Sequence, residues 1–133
     1  MAKRFGLPRS ERLKSRKEID RLFATGKGFS VFPIRVTYQF MPADGEAGLQ
    51  MGVTASKRYF KKAVDRNRIK RLLREAYRLQ KTELAEQVRN SSRKGTVFFI
   101  YTDKTIASFD IIKAAMARCL QKLSSITKRE NPV

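Results

Sequence analysis

Between Lys57 and Lys81 the chain sets eleven lysines and arginines against two acids, Asp65 and Glu75, so 25 residues carry a charge of +9. So cationic a stretch can join a fold only if its charges are kept to one side. The spacing of its apolar residues does this. At about 100° per residue, with Ile69 at zero, Leu72, Leu73, Ala76 and Leu79 lie within about 80° of it, whereas Asn67, Lys70, Arg71, Arg74, Arg78 and Lys81 gather between about 100° and 200°. The pattern predicts one long helix over 63–89 with a packed face and a cationic face. Arg66 and Arg68 project to the flanks of the cationic arc, where arginine stems can run along apolar surface. A merely solvated face would be laced with acids for pairing, and Glu75 is nearly the only one on the first five turns.

The 133 residues are enough for one domain with a core and too few for two comfortable ones. A net charge of +18 costs self-repulsion unless a polyanion neutralises it, so the expected partner is nucleic acid. No stretch approaches about 18 uninterrupted apolar residues and no signal-type apolar segment follows the basic N-terminus, so no membrane partner is expected and the place of work reads as cytoplasmic. The chain has no histidine, which excludes His-based triads, His general bases and His-rich metal sites. Its single cysteine, Cys119, falls on an apolar helix face and reads as a buried thiol.

Residues 1–14 are basic and turn-prone and read as an N-terminal arm. Ser15 and Glu18 have capping-box spacing ahead of Ile19, Leu22 and Phe23, and Gly26 suits a stop, which predicts a helix over 16–25. Ile34, Val36, Tyr38 and Phe40 alternate with polar neighbours, as do Leu49, Met51, Val53 and Ala55 across the turn-rich connector 42–48, predicting two antiparallel strands. Thr96 to Tyr101 is a continuous β-prone run, expected to be buried on both faces. Ser108 can cap a last helix whose Ile112, Ala115, Met116, Cys119, Leu120, Leu123 and Ile126 form one packed face. The polar end, 127–133, reads as a frayed tail. The order α-β-β-α-β-α predicts a single-domain α+β sandwich.

The run KKAVDRNRIKRLLREAYR, residues 61–78, resembles the signature of the bacterial ribonuclease P protein, centred on Arg66, Asn67 and Arg68. GVTASKR, residues 52–58, looks like that family's strand-to-loop approach, and RLKSRKEIDRLFATG, residues 12–26, is similar to its first helix. The resemblance covers about residues 9–126. It implies a sheet with a left-handed β-α-β crossover, of the ribosomal protein S5 domain 2-like type, contrary to the right-handed default. It also implies two partners, a catalytic RNA subunit and precursor tRNA, and assigns the chemistry to Mg²⁺ held by that RNA. No metal is expected on the protein alone, and no catalytic residue.

Carried over residue by residue, the surface for the RNA subunit is Arg66, Asn67, Arg68, Lys70, Arg71 and Arg74, with Lys57, Arg58, Lys61 and Lys62 at its rim. Guanidinium groups hold phosphate oxygens bidentately and stack on bases, and Asn67 can donate to a phosphate or pair with a base edge. The surface for the single-stranded 5′ leader is a cleft between the first helix and the sheet, with Arg12, Lys14, Ile19, Phe23 and, as its sheet aromatic, Tyr38. Ile19 stands where the family often has an aromatic, so stacking falls to Phe23 or Tyr38; both could equally fill the core. Composition and the basic helix fit a ribosomal protein or general RNA chaperone as well. A self-sufficient metal nuclease needs clustered carboxylates, and only Asp65 and Glu75 lie near the motif. DNA is not an expected partner, since a helix-turn-helix needs a short turn to a companion helix and the basic helix is expected to lead to a strand.

Overall fold

The computed structural model describes residues 11–43 and 47–129. The first helix, α1 (Arg16–Thr25), begins where Ser15 Oγ accepts the Glu18 N–H at 3.3 Å and ends where Gly26 N–H bonds Leu22 O at 2.7 Å. Its Glu18 carboxylate does not close the capping box but pairs with Lys94 Nζ at 2.9 Å, tying α1 to the sheet.

Strand β1 (Lys27–Val31) pairs with β2 (Ile34–Pro42) across a two-residue turn at Phe32 and Pro33, whose peptide bond is cis. Sequence reasoning left β1 unassigned. After the connector comes β3 (Gly48–Ala55), and the sheet is closed by β4 (Arg93–Tyr101) in the order β1-β2-β4-β3. The two predicted strands therefore do not pair with each other. β4 inserts between them, antiparallel to β2 and parallel to β3. A parallel neighbour needs a crossover, and two helices supply it.

These are α2 (Ala63–Gln80) and α3 (Thr82–Asn90), with Lys81 alone between them, so the single helix expected over 63–89 is two. The basic helix thus leads to a helix and not directly to a strand, although one residue falls short of the three or four that turn a helix-turn-helix. Ser91 and Ser92, the latter at φ 56°, stop α3 as the serine-rich break predicts. The last helix, α4 (Phe109–Arg129), starts behind Ser108 and runs three residues into the expected tail: Thr127 is buried and donates to Leu123 O at 2.8 Å. Residues 1–10 of the expected arm and 130–133 of the tail lie outside the described residues.

Alternation along the strands sends Ile34, Val36 and Tyr38, Met51 and Val53, and Val97, Phe99 and Tyr101 to one face, where α2, α3 and α4 cover them. The other face carries Thr37 and Gln39, Gln50 and Gly52, and Thr96 and Phe98, which the registers bring side by side. Only α1 crosses it. β4 is therefore closed on its core face, while Phe98 and Ile100 on the other are half-buried, a correction to the strand expected to be covered twice. Cys119 lies in the core as expected, and burial pushes its thiol up to about 12.

Candidate nucleic-acid interface

Helix α2 keeps Ile69, Leu73, Ala76 and Tyr77 buried, with the Tyr77 ring 5.7 Å from that of Phe99. Leu72 packs at the core's edge. Leu79, which the helical wheel assigns to the packed arc, is instead 48% exposed: at about 80° from Ile69 it stands at the rim of that arc. Asn67, Arg68 and Arg71 are exposed, and Lys70 and Arg74 half-exposed. Among the described residues no acid pairs with any of these cations, nor with Lys57, Arg58, Lys61 or Lys62.

The two ends of the cationic arc differ. Arg78 donates to both carboxylate oxygens of Glu75, at 2.9 and 2.5 Å, which holds the Glu75 carboxyl below its ordinary range. Lys81 pairs with Glu11 from the lead-in segment. The uncompensated charge therefore runs from Lys57 to Arg74 and stops there.

The lead-in also alters the geometry at this end. Leu13 is buried and its N–H bonds Met51 O at 2.8 Å, so Arg12 bridges to the outer edge of β3. From there its charge reaches Arg74, whose pKa is lowered first by burial and then by the Arg12 charge. The two residues were expected on separate surfaces. Yet the charge of one is felt by the other, and neither has a carboxylate partner among the described residues.

Ahead of α2 the loop 56–62 is firmly built. Ser56 Oγ accepts the Arg58 N–H at 3.0 Å, and the Phe60 N–H bonds Ser56 O at 3.0 Å. Phe60 is buried, its ring 6.1 Å from Tyr101. Arg66 then turns back and donates Nη1 to Phe60 O at 2.7 Å and Lys61 O at 2.9 Å. Two of its five N–H groups are thus used within the chain, leaving three for a ligand. No side chain caps α2, whose N-cap is Lys62, so the positive end of the helix adds to the surrounding cations.

On the other side of the sheet, α1 and the strands enclose a cleft of about 500 Å³ lined by Glu18, Arg21, Gln39, Met41, Pro42, Gln50, Lys94 and Thr96. Phe23 is not among the residues lining this cleft; it is 47% exposed on α1, with its ring centroid 5.2 Å from that of Phe98. Ile19 is half-buried, and Lys14 is exposed on the approach. Tyr38 does not belong to this cleft. It sits on the core face, 8% exposed, between Phe29 and Phe40. The sheet aromatic facing α1 is Phe98, which sequence reasoning passed over inside a run expected to be wholly buried. Its signal was register: Phe98 lies one step out of phase with Val97 and Phe99.

A family model described as Ribonuclease P matches residues 7–124. The chain is 38% identical over 120 residues to the "Ribonuclease P protein component" of Porphyromonas gingivalis, covering 90% of this chain and 88% of that protein. The chain belongs to the ribonuclease P protein family. A second relative of that name, from Chlorobaculum tepidum, is 32% identical over 128 residues, covering 90% and 83% of the two chains. The solved ribonuclease P protein of Thermotoga maritima superposes with a TM-score of 0.65 at 20% identity, covering 84% of this chain and 96% of that one. That of Staphylococcus aureus gives 0.64 at 19%, covering 89% and 95%. At such identities the likeness establishes a shared fold.

Membership makes the chain a protein component of the tRNA 5′-maturation endoribonuclease. Among the described residues no three His, Cys, Asp or Glu side chains gather as a metal cage. Among them, too, no helix is long and apolar enough to cross a membrane.

Proposed function

We propose that the protein binds a ribonuclease P RNA through the Lys57–Arg74 surface and the 5′ leader of precursor tRNA in the cleft between α1 and the sheet, working in the cytoplasm. The observation that carries this reading is the cationic face of α2 and its loop, whose cations from Lys57 to Arg74 have no described acid partner, set across the sheet from the cleft under α1. Arg68, Lys70, Arg71 and Arg74 hold phosphates, Asn67 adds a donor, and Lys57, Arg58, Lys61 and Lys62 extend the contact along the loop. Arg12, whose charge reaches Arg74, joins the two surfaces, and Lys14, Ile19, Phe23 and Phe98 receive the leader.

Mg²⁺ supplies the hydrolytic chemistry from the RNA subunit. The protein's residues bind and position. Contacts to the leader favour substrate over product, because mature tRNA lacks the leader and gains nothing from them. Neutralising phosphates also lets the RNA fold with less Mg²⁺.

The test is reconstitution. Purified protein alone leaves precursor tRNA intact, and with ribonuclease P RNA and Mg²⁺ it yields accurate 5′ ends. Accurate processing by RNA-free protein refutes the division of labour. Recovery of ribosomal RNA in place of one abundant structured RNA, when the protein is drawn from cells, favours a ribosomal protein or RNA chaperone.

A further inference from the structure

We propose that Tyr59 stacks on an unpaired base of the RNA subunit, so that the loop before α2 reads a base face as well as phosphates. The proposal rests on the reading that the Lys57–Arg74 surface binds that RNA.

The loop offers two consecutive aromatics with opposite fates. Phe60 is 7% exposed and packs toward Tyr101, anchoring the loop in the core, whereas Tyr59 is 40% exposed. Lone exposed apolar residues are ordinary, and Phe32 at 72% and Ile111 at 55% are two of them here. Two things separate Tyr59 from these. The first is rigidity. The Ser56 hydroxyl, the Phe60 N–H and both carbonyls held by Arg66 fix the backbone on either side of Tyr59, so little order is lost when its ring is covered.

The second is its setting. Lys57, Arg58, Lys61 and Lys62 flank it within three positions either way, all exposed and none paired with a described acid, and the Arg58 guanidinium stands 6.0 Å from the ring centroid. Cations that track a backbone around an aromatic that offers a π-face are the paired elements of single-strand recognition. A guanidinium at the ring's border can hold a phosphate next to the stacked base, and it is itself drawn to the ring. Phosphate contacts alone carry no information about which nucleotides are unpaired. Tyr59 supplies that, since a base inside a helix has no free face to give.

Stacking and phosphate contact separate by salt. A lost phosphate contact lowers the slope of log affinity against log salt by about 0.7 to 0.9, while a lost stack lowers affinity at every salt and leaves the slope unchanged. The experiment titrates full-length protein against ribonuclease P RNA over a salt series, for wild type, Tyr59→Ala, Tyr59→Phe and Lys61→Ala, each with its melting temperature. Tyr59→Ala is expected to bind about 5- to 140-fold more weakly with an unchanged slope and melting temperature, Tyr59→Phe close to wild type, and Lys61→Ala with a reduced slope. The chain contains no tryptophan, so Tyr59→Trp adds a single reporter whose emission should be quenched by the RNA subunit. Wild-type affinity in Tyr59→Ala, a loss that comes with a lower slope or melting temperature, or unquenched emission overturns the stack. Failure of the wild type to bind the RNA overturns the reading beneath it.

Discussion

Phe23 on α1 and Phe98 on β4 meet with ring centroids 5.2 Å apart and planes inclined by 52°, within the range of favourable aromatic pairs. Phe98 is seated by what lies beside it in β3: a Cβ on Gly52 would come within 2.7 Å of its ring, so glycine makes room for that orientation. The pair joins α1 to the sheet face that α1 crosses, one ring carried by each element.

Two truncations should therefore separate contact from packing. Phe23→Ala removes a half-exposed ring and is expected to leave the melting temperature nearly unchanged while preference for precursor over mature tRNA falls by about 1 to 3 kcal/mol, the worth of one base stack. Tyr38→Ala empties a core position and should destabilise by about 3 to 5 kcal/mol. Leader preference measured on its folded fraction should remain. Denaturant unfolding and paired binding to precursor and mature tRNA check both, and a stable Tyr38→Ala that ignores the leader would return that tyrosine to the cleft.

Periodicity and capping made much of this fold legible. Ser15 and Gly26 bracket α1 at both predicted ends, and the buried positions of α4 follow its three-and-four spacing. Pairing was not legible, because alternation tells which residues share a face and says nothing of which strand lies next door; β4 could insert between β2 and β3 unseen. KGFSV in β1 is an edge strand with one glycine and three exposed residues, too polar to announce itself. Lys81 interrupts α2 and α3 without a glycine or proline to mark it. At the site, the cationic arc was readable from helical angle, whereas its end was not, since Glu11 neutralises Lys81 across 70 positions of sequence.

Arg66 should behave differently from Arg68. Arg66→Ala strips a charged donor from two loop carbonyls, at a cost on the order of 1.5 to 3 kcal/mol, felt mainly as loss of order in residues 56–62. Amide exchange of that loop should quicken and RNA-subunit affinity fall. Arg66→Lys keeps the charge but cannot span both carbonyls as a planar guanidinium does, so it should restore affinity only in part. Arg68→Ala should weaken RNA binding with loop exchange unchanged; equal exchange in the two alanine variants would count against the clamp.

Alkaline pH should expose the core. Burial pushes the Cys119 thiol from its ordinary 9.0 up to about 12 and raises the Tyr77 and Tyr101 phenols above 10.0. With folded values raised, the stability they contribute is full below the unfolded pKa. Above it the unfolded chain releases the proton that the folded chain retains, so stability falls as pH rises from about 9 toward 12. The fall should begin nearer pH 10 in Cys119→Ala, where only the tyrosines remain. Comparing denaturant midpoints of the two proteins cancels the lysines common to both, and identical profiles would mean that the thiol titrates freely.

The limits of the cationic surface give the last prediction. Arg71 is exposed without an acid partner among the described residues, whereas Arg78, seven positions on and on the same arc, already chelates Glu75. A guanidinium satisfied by a carboxylate releases few counterions from RNA, because approaching a phosphate means giving up its present partner. Arg71→Ala is thus expected to reduce the log-log salt slope of RNA-subunit binding by about 0.7 to 0.9, with a matching loss of affinity at low salt. Arg78→Ala should leave the slope near the wild-type value. Freeing the guanidinium reverses the effect: Glu75→Gln keeps the side chain's size, removes one of the few negative charges near the interface, and should raise both slope and low-salt affinity. The three titrations, run at the same temperature and Mg²⁺, read the boundary directly. Equal slope losses for Arg71→Ala and Arg78→Ala would extend the RNA contact to the end of α2 and show that the RNA outcompetes Glu75.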